Sequence, residues 1–279
     1  MPQGIFNYGG STTFAPIRVI VDPEMQKSVS GFQLKYVHPQ KVTPGSGKGI
    51  EMLLTNKLHF SQSSRPLKEE EKEQNLAEIN VGIDGIVFAV HPSLNIPGLT
   101  VQQIKDIYPG QITNWQEVGR QNLKIQPYSR RPEDGGNPEY FFEQFLEKKP
   151  FGKNAELAYN TTMGIHNVAK EPGGIYYASA AEIIGQCAIK PLPIGENKHK
   201  FVTPYKLPYI KSEDCPKFRN KLNIDLFRNG EYPKTRQLYV IIKKNGQIEE
   251  EVGRNYANLL LTQAGQNLLE KAGFVKVNK

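Results

Sequence analysis

Apolar and polar residues alternate over residues 32–37, and this period of two predicts a strand. Shorter runs of the same character predict strands over 58–61, 123–128, 173–178, 189–194 and 238–242. Residues 79–90 form the most strand-like run, with Gly82, Asp84 and Gly85 inside it. A long strand carrying glycines is a candidate connection between lobes, where backbone torsions can bend. Helical spacing appears over 15–20, 50–54, 100–108, 139–146, 163–168 and 255–272, the last ended by Gly273. Residues 68–73 read as a solvated helix face and 195–220 as a Lys- and Pro-rich loop. Strands alternating with helices predict α/β lobes with largely parallel sheets, whose ligands bind at the carboxyl ends of strands.

Four helices open in the same way. Pro44-Gly45-Ser46-Gly47-Lys48-Gly49 runs into Ile50-Glu51-Met52-Leu53-Leu54, and Ser11-Thr12-Thr13-Phe14 runs into Ala15-Pro16-Ile17. Asp134-Gly135-Gly136-Asn137-Pro138 and Asn160-Thr161-Thr162 precede the other two. Ser, Thr, Gly or Asn before a helix is ordinary capping. Unpaired N–H groups at such ends also suit an anion, and four of them predict one pocket lined by helix ends. A nucleotide P-loop is excluded at Gly47-Lys48, since Gly49 and Val42 stand where Ser or Thr and a glycine are required.

Composition narrows the class. Of 279 residues, 38% are hydrophobic and 23% charged, and no apolar run approaches the ~20 residues of a membrane span. The net charge of +7 comes from Lys and Arg scattered along the chain, without nucleic-acid-binding spacing, and reads as a basic surface that attracts small anions. The start, Met1-Pro2-Gln3-Gly4-Ile5, has no leader pattern, which fits a cytosolic chain or one whose leader has been cut away. Cys187 and Cys215 could be free core thiols, but both sit in loop-like, Pro-rich surroundings, and a disulfide in an oxidising compartment is the reading adopted. The five histidines lack metal-ligand spacing, the cysteines are not CxxC, and no Gly-x-Ser-x-Gly elbow occurs, so neither a metal site nor an enzyme is expected. The single Trp115 reads as a packing anchor.

At these motifs nearly the whole chain resembles the PstS-type periplasmic phosphate-binding proteins of ABC transporters. The resemblance rests on residues 11–16, 44–49, 60–67, 99–115, 130–136, 172–176 and 261–266, with its closest look to cyanobacterial members through Gln62-Ser63-Ser64-Arg65 and Glu133-Asp134-Gly135-Gly136. It implies an α/β, two-lobed type II periplasmic-binding-protein clamp with two hinge crossovers and the anion in the cleft. Residues 1–84 and 235–279 would form one discontinuous lobe and 85–234 the other. Carried over, the phosphate ligands are Thr12, Thr13 and the Phe14 backbone, Ser46, Gly47, Ser64, Arg131 (oriented by Glu133), Gly135, Gly136 and Asn137. Two departures from the family stand out: Ser64 replaces an Asp that accepts the ligand's proton, and Gly135-Gly136-Asn137 replaces Ser-Gly-Thr. Asp84 is the candidate replacement acceptor.

The resemblance therefore implies a monomeric extracytoplasmic protein, periplasmic or lipid-anchored, that captures inorganic phosphate by hinge closure and hands it to an ABC permease. It would perform no chemistry and need no cofactor. Two alternatives stay open: the ligand-sensing input domain of a receptor, and a binder of another oxyanion or an organic phosphate.

Overall fold

A computed structural model describes residues 2–40, 42, 44–134 and 136–277. The chain divides into two compact units. The first comprises Met1–Asp84, Glu133–Asn137 and Arg236–Lys279; the second comprises Gly85–Pro132 and Pro138–Thr235. The stretch Glu133–Asn137 thus groups with the first unit, whereas the sequence reading set it within 85–234. Among the described residues no helix is long and apolar enough to cross a membrane.

In the first unit, strand Gly4–Gly10 lies between Phe32–Tyr36 and Phe60–Ser63, parallel to both. Thr235–Lys243 runs antiparallel to Phe60–Ser63, pairing Tyr239 with Ser63, and stands beside Leu76–Val90. The sheet is therefore mixed rather than largely parallel, because the returning strand Thr235–Lys243 enters it in the opposite sense. Tyr8, Phe60 and Tyr256 stack in its core, with centroids 5.3 and 4.5 Å apart. Helix Ser46–Leu54 buries Ile50, Met52 and Leu53 against Leu58, Leu67, Leu76 and Ile241. Each such side chain contributes on the order of 1.5–3 kcal/mol of burial.

That helix approaches the sheet where no side chain intervenes. A Cβ on Gly49 would sit 2.4 Å from both Gly10 Cα and Ser61 Oγ. Gly10 itself holds a φ of +116°, and its missing side chain leaves room for the Gln62 carbonyl. The pairing of two glycines is what lets the helix start rest on the strand ends.

In the second unit, the end of strand Leu76–Val90 from Ile86 onward pairs antiparallel with Gly174–Ser179 and with Lys190–Leu192. Gly174–Ser179 continues through parallel Gln126–Ser129 to Glu156–Leu157. Residues read from sequence as the start of a long loop instead form strands Ile194–Asn197 and Lys200–Val202, completing a three-stranded sheet with Leu99–Thr100. Phe88, Phe141, Phe145, Tyr108 and Tyr177 make the aromatic core. Trp115 is fully buried and its indole N–H donates to the Gly173 carbonyl at 3.1 Å. Cys187 and Cys215 form a disulfide with Cα atoms 5.6 Å apart.

The predicted helix over 255–272 is two helices, Ile248–Leu261 and Gln263–Lys271. Thr262 between them accepts a hydrogen bond from Gly265 N–H and caps the second.

Candidate functional site

Strand order in the first unit brings its polar residues to one edge. Gly4–Gly10 and Phe60–Ser63 are parallel neighbours, with Gly10 opposite Gln62, so Ser11 and Ser64 leave the sheet side by side. Thr235–Lys243 runs the other way beside Phe60–Ser63, and this brings its beginning, Arg236, to the same carboxyl edge. Ligand sites of α/β sheets form at such an edge.

A chain of hydroxyls results. Ser11 Oγ donates to Ser64 Oγ at 2.9 Å and accepts from Thr13 N–H at 3.3 Å. Ser46 Oγ accepts from Ser64 N–H at 3.1 Å and lies 3.4 Å from Ser64 Oγ. Ser11, Ser46 and Ser64 are all buried. Ser46 and Ser64 carry one hydroxyl proton each, and their mutual contact can absorb only one. Among the described residues, at least one proton is left for an outside acceptor. Gly45, at the cap position of helix Ser46–Leu54, offers no side chain, so the first-turn N–H groups around Gly47 add further donors.

Beside the hydroxyls lies a buried guanidinium. Arg236 Nη2 donates to Asp84 Oδ2 at 2.9 Å, to Thr13 Oγ1 at 2.8 Å, and to Asn137 Oδ1. Its Nε donates to the same Asp84 oxygen at 3.3 Å, and the ion pair is almost wholly removed from solvent, with side-chain exposures of 2% and 0%. Gly136 turns past this group with a φ of +63°; a Cβ there would come within 2.6 Å of Thr12 Oγ1 and 3.5 Å of Thr13 Oγ1. Backbone thus approaches the hydroxyls where a side chain would be obstructed.

Of the residues singled out from sequence, Thr13, Ser46, Ser64, Asp84 and Asn137 come together in hydrogen-bonded groups, with Thr12 and Gly136 adjoining them. Gly47 lies in the first turn of its helix. The Phe14 N–H is directed to the Ser11 carbonyl at 3.3 Å, closing a 3-10 turn, and the Phe14 ring is fully buried. Arg131 belongs to the second unit, is exposed, and takes no part in these hydrogen bonds; Glu133 is exposed too. Gly135 lies outside the described residues. Sequence reasoning missed Arg236 and gave Ser11 no role. Arg65, next to Ser64, sends its guanidinium fork to Glu71 at 2.7 and 2.8 Å. Among the described residues no group of three His, Cys, Asp or Glu could hold a metal ion.

A second buried network supports the edge from behind. Asp22 accepts from the hydroxyls of Tyr8 and Tyr256, the latter at 2.8 Å, and Gln62 Nε2 donates to Tyr256 at 2.9 Å. Arg18 lies 4.1 Å over the Tyr36 ring and reaches the Ser11 carbonyl and Gln62 Oε1, each at 3.4 Å. Burial pushes the Asp22 carboxyl up to about 6, against the downward pull of the two tyrosine hydrogen bonds and the Arg18 charge.

A family model described as PBP superfamily domain matches residues 2–264. A phosphate-binding protein PstS of Staphylococcus haemolyticus is 25% identical over 280 residues, covering 95% of this chain and 79% of its own. A phosphate-binding protein PstS of Borreliella burgdorferi is also 25% identical, covering 99% and 91%. A crystal structure of a putative phosphate ABC transporter substrate-binding protein with bound phosphate, from Clostridium perfringens, superposes with a TM-score of 0.78 at 21% identity, covering 99% of this chain and 100% of that one.

Proposed function

The chain belongs to the PBP superfamily domain family, and from that premise we propose that it captures inorganic phosphate outside the cytoplasmic membrane and delivers it, as a monomer, to an ABC permease. The observation that carries this reading is the buried Arg236 guanidinium, held among Thr13, Asn137 and Asp84 beside the Ser11–Ser64–Ser46 hydroxyls. A guanidinium offers a planar fork to tetrahedral oxygens. Hydroxyls and first-turn N–H groups supply neutral donors that need no countercharge. The phosphate-binding relatives and the phosphate-bound transporter protein from Clostridium perfringens support phosphate as the ligand and a transporter as the context.

Asp84 gives the group a means of choosing among anions. Its charge offsets that of Arg236, and an acceptor there suits a ligand that still carries a proton. Monohydrogen and dihydrogen phosphate have that proton; sulfate at neutral pH has none, and burying two unprotonated acceptors against each other costs ~1–3 kcal/mol or more. No bond is made or broken in this role, and no cofactor enters it. The Cys187–Cys215 disulfide fits the oxidising compartment that the role requires.

Equilibrium dialysis against radiolabelled phosphate tests the proposal. The wild-type chain retains label, and Arg236→Gln, checked for retained fold by circular dichroism, loses about 30-fold or more in affinity, as removal of one partner of a buried charge pair generally costs about 2–5 kcal/mol. Equal retention by a folded Arg236→Gln chain, or none by the wild type, overturns it.

A further inference from the structure

The second unit carries a basic, apolar-tipped surface that the proposed phosphate site does not use. Two chain segments, 205–210 and 218–222, run against each other there. Tyr205 and Leu222 form an antiparallel bridge, and Lys206 N–H donates to the Lys221 carbonyl at 2.8 Å. Buried Asn220 ties both segments together, donating to the Ile210 carbonyl and accepting from Ile210 N–H, each at 2.9 Å. The disulfide to Cys187 and the Arg219 bond to the Gly185 carbonyl at 2.8 Å anchor the base. The tips are thus held open on a braced frame, although nothing in the frame requires them to be apolar.

Leu207 is 72% exposed and Phe218 55% exposed, and both border a cavity of about 380 Å³. Lys206, Lys217 and Lys221 stand around the same cavity and are exposed. Among the described residues none of these three lysines lies in an ion pair, while ion pairs do form elsewhere on the chain. Lys217 Nζ stands 5.5 Å over the Phe218 ring, and among the described residues no carboxylate offsets the charge of these lysines, so apolar tips and cations share one exposed surface. They suit a boundary with an apolar interior and a negative face.

We propose that this surface docks on an anionic phospholipid bilayer, with Leu207 and Phe218 entering the headgroup layer and Lys206, Lys217 and Lys221 engaging lipid phosphates. Aliphatic and aromatic tips ringed by lysines complement such a surface in both respects. An acidic protein face would satisfy the lysines and leave the two apolar tips without a role. Docking of this kind holds the chain near the membrane independently of any ligand it carries.

The test is co-sedimentation of the full chain with vesicles of phosphatidylcholine alone or mixed equally with phosphatidylglycerol. Binding is expected only to the mixed vesicles and weakens with added salt. Lys206→Gln/Lys217→Gln/Lys221→Gln loses roughly fivefold per lysine, whereas Lys35→Gln/Lys57→Gln/Lys244→Gln, with the same loss of net charge, changes binding little. Leu207→Ser/Phe218→Ser also binds more weakly, with phosphate retention unchanged in all variants. No sedimentation with mixed vesicles overturns the proposal, as does equal loss in the two lysine sets or full binding by the serine variant. Binding to an acidic polypeptide without binding to vesicles would assign the surface to a protein partner instead.

Discussion

Arg236 sits on the buried phase of an alternating strand. Thr235–Lys243 hides Arg236, Leu238 and Val240 on one face, so a charge stands where the pattern asks for an apolar residue. That mismatch is the available signal, and a strand taken to start at 238 leaves it out, since the strand begins at Thr235. Thr13, Ser46 and Asn137 were legible because helix starts advertise themselves in local sequence, whereas a guanidinium delivered by a returning strand depends on pairing across more than 150 residues. Asp84, its partner, controls selectivity in the proposed role: Asp84→Asn lets sulfate compete with phosphate, and competition dialysis showing an unchanged phosphate preference would dispose of that role. Asp22 makes a separate prediction. Its folded value of about 6 lies above the ordinary 3.8, so the fold favours the neutral acid. The stabilisation is complete below about pH 4 and is lost as pH rises through 6. Denaturant titrations should show the wild type losing about 2 kcal/mol more than Asp22→Asn between about pH 4 and pH 6; parallel curves for the two chains would contradict this.

Among elements, helix Ser46–Leu54 joins fold to site most directly. Its start supplies Ser46 and the first-turn N–H groups, and its approach to the sheet depends on Gly49 meeting Gly10. Gly49→Ala forces helix and strand end apart. The expected cost is about 1–3 kcal/mol of stability from overpacking, together with weaker phosphate retention, since Ser46 moves away from Ser64. Thermal unfolding and dialysis read the two effects, and an unaffected variant would show that the close approach is dispensable. The start of this helix was legible because Gly45-Ser46-Gly47 precedes an unbroken apolar run. The break at Thr262 was not, because residues on both sides keep helical spacing and only the capping geometry of Thr262 with Gly265 separates the two helices. Strands Ile194–Asn197 and Lys200–Val202 were obscured by Pro191, Pro193 and the lysines around them, and pairing with Leu99–Thr100 decides their conformation.

For the whole molecule, the chain passes from one unit to the other at Asp84–Gly85, Pro132–Glu133, Asn137–Pro138 and Thr235–Arg236. Two of these passages lie in or at the ends of the strands Leu76–Val90 and Thr235–Lys243, and the short excursion Glu133–Asn137 contributes Gly136 and Asn137 to the first unit. The alternation of strands and helices made the α/β class legible from sequence. The antiparallel returns were not, because hydrophobic periodicity carries no strand direction. The central claim is that the hydroxyl and guanidinium group of the first unit takes up a proton-bearing tetrahedral anion. Calorimetric titration of the purified chain with phosphate and then with sulfate at neutral pH measures this directly. The account predicts saturable binding of one phosphate per chain and much weaker heat from sulfate; equal affinity for both anions, or no heat from phosphate, would contradict it.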